Sequence, residues 1–564
     1  MKLKRGICGV AGLILSGMLL ASCGGGGGSD SGSSAGAPAA APPPVAITQP
    51  DAVRLAKQAS FGPTTALVDQ IVAASLNGWL DQQFAASGSS YADLATRVQN
   101  RNYCNLMTGA AATVCNRDFM SSTPMAMRFY SNAVQQPDQL RQRVAWALSQ
   151  ILVASDVEVK STAGLASLNQ IFLTNAFGNY RDILRATTLN AYMGDYLDMA
   201  NSSRVAPNEN YARELMELFS TGVDKLNPDG TAITDAAGAT TPNYTAADVR
   251  DIARALTGWT YTRLNGAPLT DNNQIDYASP MIANAANYDT GAKTFLGATV
   301  PAGAPQADSL NAVIDAVFNN ASTAPYISKQ LIQMLVTSNP TPAYVARVSG
   351  VFANNGSGVR GDLKAVVRAI LTDVEARGDA KTADTTAKVK EPVLLTTAIG
   401  RLAGFRTDGY AFTTRDAALG QAPFRSGSVF NFYPPDYPLP QGSGLVSPPS
   451  KLMTTATIMA RHNLVYDWTV SGDSRGEYAV QATLEGSTGT QPNWTPWEAI
   501  TDPNALIDRI NLLMLNNTMT SAQRSSLMAA ITAITNTDAA VQARRRAQTA
   551  LYIVGASPAF QTDR

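Results

Sequence analysis

The sequence predicts an all-α protein: one large multi-helix domain carrying small irregular or β insertions. Apolar residues recur at helical spacing in run after run, and Gly, Pro and capping residues separate the runs. A chain of 564 residues with 45% hydrophobic content can bury a large core. The cleanest stripe is Leu363, Val366, Val367, Ile370 and Leu371, which share one face of a helix over 362–376.

The chain opens on a targeting segment, residues 1–22. Lys2, Lys4 and Arg5 form a positive start, and Val10 to Leu20 is an apolar run too short to span a bilayer. It ends in Leu20-Ala21-Ser22-Cys23, which resembles the bacterial lipoprotein lipobox. The resemblance implies cleavage before Cys23, lipidation of that cysteine and anchoring to the membrane by more than one acyl chain. Residues 23–50 then read as a Gly/Ser/Ala/Pro-rich tether with too few apolar groups to fold. Gly24 follows the cysteine where an Asp would signal inner-membrane retention, so the expected address is the cell envelope, at the outer membrane.

Four cysteines sort by position. Cys8 leaves with the signal and Cys23 takes lipid. Cys104 and Cys115 remain as an even pair in an oxidising compartment, which predicts a disulfide. In the chain-entropy view such a closed loop contributes about 3 kcal/mol.

From residue 51 to 564 the reading is one helical domain. Helices are predicted over 51–61, 63–84, 137–155, 165–177 and 180–199. The helix over 208–224 follows, with Tyr211, Leu215, Leu218 and Phe219 on one face. Residues 226–243 interrupt the series; Asn227-Pro228-Asp229-Gly230 is a turn signal, so a hairpin insertion is expected. Its acidic residues do not fit a calcium loop, because Lys225 and Ala236 fall where the first and last ligands belong. Thr245 and Asp248 start the helix over 244–259 in capping-box fashion.

After a loop-rich stretch over 260–305, helices resume over 309–319, 324–336, 342–354, 362–376 and 389–405. Residues 421–449 break the pattern. Pro and Gly exclude a helix there, yet Phe424, Phe430, Phe432, Tyr433 and Tyr437 crowd into it. Such a segment is either a functional loop or a strap whose aromatics dock into helix grooves. Helices over 451–468, 503–515, 521–535 and 539–554 complete the chain.

Composition narrows the chemistry. Lys plus Arg is 43 and Asp plus Glu is 43, so there is no electrostatic case for nucleic acid. A single histidine, His462, excludes a histidine triad or a two-histidine metal site within one chain. No metal ligand set and no cofactor motif is present. Gly291-Ala292-Lys293-Thr294 lacks the spacing of a phosphate loop, and Lys293 is expected to pair with Asp289.

The carboxylates remain. On the 208–224 helix, Asn210, Glu214 and Glu217 align at i, i+4 and i+7, and Glu209, Arg213 and Glu217 at i, i+4 and i+8. Two carboxylates on one turn can share a proton or divide acid and base roles. Alternatively, Arg213 simply pairs with its neighbours for a few tenths of a kcal/mol each.

Several of these stretches, taken together, resemble one bacterial family. They include SFGPT from Ser60, LRQRVAWALSQI from Leu140, NYARELMELFSTGVD from Asn210 and YTAADVRDIARALTGW from Tyr244. YDTGAKTFLG from Tyr288, GDLKAVVRAILTD from Gly361, KVKEPV from Lys388 and SVFNFYPPDY from Ser428 continue the series. The chain is similar to domain-of-unknown-function family 1800 from about residue 51 to its end. The resemblance implies a secreted, mainly helical bacterial protein and no established activity. It also implies a possible partner, a secreted protein of domain-of-unknown-function family 1501. This chain carries Tyr288, where family members often have His.

Two functions are carried forward. The first is a lipid-anchored protein that binds or assembles envelope polymer or a secreted partner, with Asn210, Trp259, Phe424, Tyr433 and Tyr437 as its binding residues. The second is a carboxylate-based hydrolase or lyase that uses Glu214 and Glu217 with Arg213.

Overall fold

In the computed structural model the described residues are 46–97, 100–379, 381, 383–439, 443–472 and 476–564. The expected signal segment, Cys23 and the expected tether up to residue 45 fall outside them. Among the described residues there are 24 α-helices and four two-stranded antiparallel sheets, so the fold is mostly α with small β insertions. The helices pack as one unit around a continuous core.

Helix Gln139–Ile151 is the centre of that core. Eleven of its 13 residues are buried, including Gln139, Gln142 and Arg143 as well as the apolar stripe from Leu140 to Ile151. Helices Gln49–Ala59, Leu76–Ala85, Thr123–Gln135, Thr162–Thr174 and Thr323–Leu335 surround it. The strand pair Lys388–Val389 with Thr562–Asp563 ties the end of the chain against this core, with Lys388 opposite Asp563.

Local stereochemistry divides two of the predicted helices and shortens a third. The run over 63–84 becomes Thr65–Ala74 and Leu76–Ala85, because Ser75 adopts φ 63° and its hydroxyl caps the second helix at Gly78 N. The run over 180–199 breaks into Tyr180–Thr188 and Ala191–Tyr196, where the Asn190 side chain accepts from Met193 N at 3.1 Å. The 208–224 helix covers only Asn210–Glu217. Thr221 N and Gly222 N both close back on the carbonyl of Met216, and Gly222 takes φ 71°. A Cβ on Gly222 would meet the Tyr326 ring at 2.8 Å, so glycine is required there for space as well as for φ.

Two long helices escape the sequence reading, Gly109–Phe119 and Thr123–Gln135, along with the four-residue helices Ala92–Ala95, Tyr410–Thr413, Thr495–Glu498 and Pro558–Gln561. Helix Thr123–Gln135 carries core aromatics: Phe129 lies 4.9 Å from Trp146 between ring centroids, and Tyr130 stacks on Phe412 at 4.8 Å. Residues 224–243 fold as three short antiparallel segments, bridged at Asp224–Pro242, Leu226–Ala232 and Thr234–Thr240. Asp229 and Asp235 spend their carboxylates on the turns, accepting from Thr231 N and from Ala237 N and Ala239 N.

Candidate functional site

Helix Asn210–Glu217 buries Tyr211, Ala212, Leu215 and Met216 and also buries Glu214. Tyr211 anchors it by donating to Thr188 Oγ1 at 2.7 Å. Arg213 points outward. It reaches Glu209 at 3.4 Å and Glu217 at 3.8 Å with nearly half of its side chain exposed, so each pair contributes only a few tenths of a kcal/mol.

The two glutamates have different surroundings. Glu217 accepts the Tyr244 hydroxyl, and Tyr326 donates to the Glu217 carbonyl at 2.8 Å. Glu214 is 8% exposed, and its Oε2 is buried with no hydrogen-bond partner. Burial pushes its carboxyl up to about 7, the neighbouring Glu217 charge adds to the rise, and Arg213 opposes it only in part. Near neutral pH Glu214 therefore exchanges a proton that an ordinary glutamate has lost.

Asn210, at the start of this helix, faces a cleft of about 740 Å3. Its amide donates to Asp198 at 3.3 Å. Arg101 and Lys160 supply donors to the cleft, while Glu158, Asp195 and Asp198 supply acceptors. Tyr196 and Tyr277 provide ring surface. Asp195 is the organising group. It accepts from Arg101 at 2.7 Å, from Tyr261 at 2.8 Å and from Tyr277, whose hydroxyl also accepts from Arg101. Burial holds the Tyr196 phenol well above the usual range, and the charges of Glu158 and Glu214 add to the rise. Glu214 itself does not line the cleft.

One wall of the cleft comes from a cross-linked segment. Cys104 and Cys115 are joined in a disulfide with 5.6 Å between their Cα atoms. Arg101, Asn116 and Met120 flank that bridge and line the cleft. Arg101 N and the Asn102 amide pin the segment to Asn273 at 3.2 and 2.6 Å.

The aromatic residues named as binding residues go elsewhere. Trp259, Phe424 and Tyr433 are buried and offer no surface to a ligand. Phe424 packs edge-on against Phe129 and Trp146, and Tyr433 donates to Glu391 Oε2 at 2.7 Å. Tyr437 is half-buried, away from the Asn210 cleft. The 421–449 segment is therefore a strap over the core at these positions, because its rings fill gaps between helices. The charge of its Asp436 acts on the Tyr326 phenol, which burial holds above its usual range and which donates to the Glu217 carbonyl. Lys293 is buried, 3.7 Å from Asp289, and donates to the carbonyls of Asp289 and Gly291. His462 is half-buried on helix Thr455–Tyr466.

Sequence reasoning missed a buried ionic network. Glu391 accepts from Trp146 at 2.8 Å, Gln421 at 2.7 Å and Tyr433 at 2.7 Å. Arg143, Lys390 and Arg461 are buried around it, and Asp563 accepts from Lys390. The signal was present in one place: Arg143 sits three residues after Leu140, on the apolar face of its own helix. Among the described residues no group of three His, Cys, Asp or Glu is arranged to hold a metal ion.

Fold and cleft together describe a large helical protein with a polar, mixed-charge groove. A family model described as Protein of unknown function (DUF1800) matches residues 54–562, and the chain belongs to that family. No curated protein and no solved structure matches it.

Proposed function

We propose that this is a lipid-anchored envelope protein that binds a polar envelope polymer, a glycan, in the cleft beside Asn210. The observation that carries the proposal is the composition of that cleft: two cations, three carboxylates, two amides and two tyrosines around about 740 Å3. Sugar hydroxyls both donate and accept, so a wall that mixes the two kinds of group suits them, and sugar C–H faces rest on aromatic rings. The Arg101–Asp195–Tyr277 network fixes its side chains before any ligand arrives, which lowers the ordering cost of binding. A lipid on Cys23 and the tether after it would hold such a domain near its polymer.

Co-sedimentation of the purified protein with insoluble envelope glycan tests the reading. Wild type is expected in the pellet, and Asn210→Ala and Lys160→Ala are expected to shift it to the supernatant. Wild type that stays in the supernatant across salt and pH would refute it. Mass spectrometry of the mature protein tests the anchor: an unmodified Cys23, or an N-terminus elsewhere, removes it.

A second reading is favoured by Glu214 alone. A carboxyl raised to about 7, beside a second carboxylate, suits proton transfer in a hydrolase or lyase. Glu214→Gln that abolishes glycan turnover while leaving pelleting intact would support it. Turnover unchanged in that variant would end it.

A further inference from the structure

A second groove, of about 720 Å3, runs along helix Thr123–Gln135. Pro124, Met127, Arg128, Ser131 and Gln135 line it from one face of that helix, at i, i+3, i+4, i+7 and i+11. Strand Arg406–Thr407 and the turn over 484–489 line it from another part of the chain. Strand and helix are locked together. Gln135 Nε2 donates to the Thr407 carbonyl at 2.7 Å, and its Oε1 accepts from Thr407 N at 3.2 Å. Asp408 holds the turn, accepting from Ser487 Oγ at 2.7 Å, Thr488 N at 3.0 Å and Gly489 N at 2.9 Å. The groove is therefore built before a ligand arrives, which lowers the ordering cost of binding.

Five charged side chains line this groove: Arg97, Arg128, Arg406, Asp408 and Glu485. All but one have partners. Arg128 grips Asp93 with two hydrogen bonds of 2.7 and 2.8 Å, Arg97 lies 3.6 Å from Glu485, and Asp408 is spent on the turn. Arg406 is exposed, and among the described residues its side chain makes no hydrogen bond and no ion pair.

The groove adjoins the Asn210 cleft. Arg97 lines the groove, and Arg101, four positions on, lines the cleft. Met120 lines the cleft, and Pro124, again four positions on, lines the groove. Four residues of chain reach at most about 15 Å, so the two openings are neighbours at both crossings. A third tie joins them: Arg117, next to Asn116 of the cleft, donates at 2.6 Å to the carbonyl of Thr483, next to Leu484 of the groove.

We propose that the groove is a second subsite of one binding surface, and that it takes the carboxylates of an acidic glycan whose chain runs on into the Asn210 cleft. This rests on the glycan reading of that cleft and narrows it to a polymer that carries carboxylates. A guanidinium presents paired N–H donors that match the two oxygens of a carboxylate, so Arg406 holds one through two charge-assisted hydrogen bonds. It gives up no existing contact to do so. Ser131, whose hydroxyl accepts from Gln135 at 3.0 Å, keeps its own proton to donate to a sugar hydroxyl.

The probes are bead-bound polygalacturonate, with a carboxylate on every sugar, and the same polymer fully methyl-esterified. The purified full chain is expected to bind the acid form about tenfold more tightly than the ester. Arg406→Ala is expected to bind the acid form only as well as wild type binds the ester, and Asn210→Ala to lose affinity for both. Arg250→Ala removes an exposed arginine that lines neither opening and is expected to bind as wild type does. Arg406→Ala that equals wild type on the acid form, or Arg250→Ala that loses as much, overturns the proposal. Tighter binding to poly-glutamate than to polygalacturonate, lost in Arg406→Ala, also overturns it and assigns the groove to an acidic peptide. No retention on either polymer ends it too, while pelleting with envelope glycan judges the reading of the Asn210 cleft separately.

Discussion

Glu214 and Glu217 stand three residues apart on helix Asn210–Glu217, and only one of them is hydrogen-bonded. Glu217 holds the Tyr244 hydroxyl at the half-open surface, while Glu214 Oε2 is sealed beneath with no partner. The same helix turn therefore presents one hydrogen-bonded carboxylate and one unpartnered carboxyl that retains its proton into the neutral range.

Stability should fall as pH rises past this group. The Glu214 carboxyl is raised from its ordinary value of 4.5 to about 7, so between those values the folded state binds more protons than the unfolded state. Its stabilising effect is complete below about 4.5, is lost through about 7 and is gone above. Glu214→Gln should be close to neutral at pH 4 and should stabilise at pH 8, by about 1–3 kcal/mol. Urea unfolding of both proteins at the two pH values checks this; a variant less stable at pH 8 contradicts it.

Arg213 is a surface partner. Arg213→Ala should change stability by less than about 0.5 kcal/mol, since nearly half of its side chain is exposed and its contacts are 3.4 and 3.8 Å long. Denaturant midpoints measured at low and high salt would show whether even that small term is electrostatic.

The disulfide should act on the cleft. With Cys104 and Cys115 11 positions apart, losing the bridge should cost about 2–3 kcal/mol. It should also loosen the wall that carries Arg101, Asn116 and Met120. The double variant Cys104→Ser/Cys115→Ser is expected to pellet with envelope glycan less well than wild type at a temperature where both are folded.

Tyr433 should matter for stability and not for binding. Tyr433→Phe removes one of three donors to the buried Glu391 carboxylate and should destabilise by about 1.5–3 kcal/mol. Calorimetry reads the loss. Unchanged co-sedimentation would separate this strap residue from the cleft, and a binding defect at equal stability would return it to the site.

Much of the architecture is local and could be read directly. The stripes over 362–376 and 244–259 give helices Leu363–Thr372 and Ala246–Ala255, with Thr245 and Asp248 closing a true capping box. Helix Pro503–Leu515 matches its predicted bounds, with Pro503 at its first turn. Thr123–Gln135 was harder to see, because nine of its 13 residues are buried and polar Asn132 is among them. A helix buried on most sides loses the amphipathic contrast that periodicity detects. The breaks at Ser75 and Asn190 depend on single side-chain caps, whose outcome at mid-run is not visible in the pattern of apolar residues.

The candidate site was legible only in part. Asn210, Glu214 and Glu217 are neighbours by helix geometry, so their grouping needs nothing beyond the sequence. Their fates differ because Tyr244 and Tyr326, which contact Glu217, come from distant parts of the chain, as does Tyr196, which lies near Glu214. Arg101 and Asp195 are 94 positions apart and meet at 2.7 Å. Aromatic content marked the 421–449 segment as important but could not say which way its rings would face.

By itself, the sequence determined the helical class, the family and that no site within the chain can use two histidines, because periodicity, motif order and composition are properties of the chain read locally. Only the tertiary structure decided which charges are buried, that Glu214 lacks a partner while Glu217 has one, and that Arg143 and Lys388 share the Met334 carbonyl. Burial and counter-charge are set by segments hundreds of residues apart, and desolvation, the largest influence on such groups, exists only once those segments have packed.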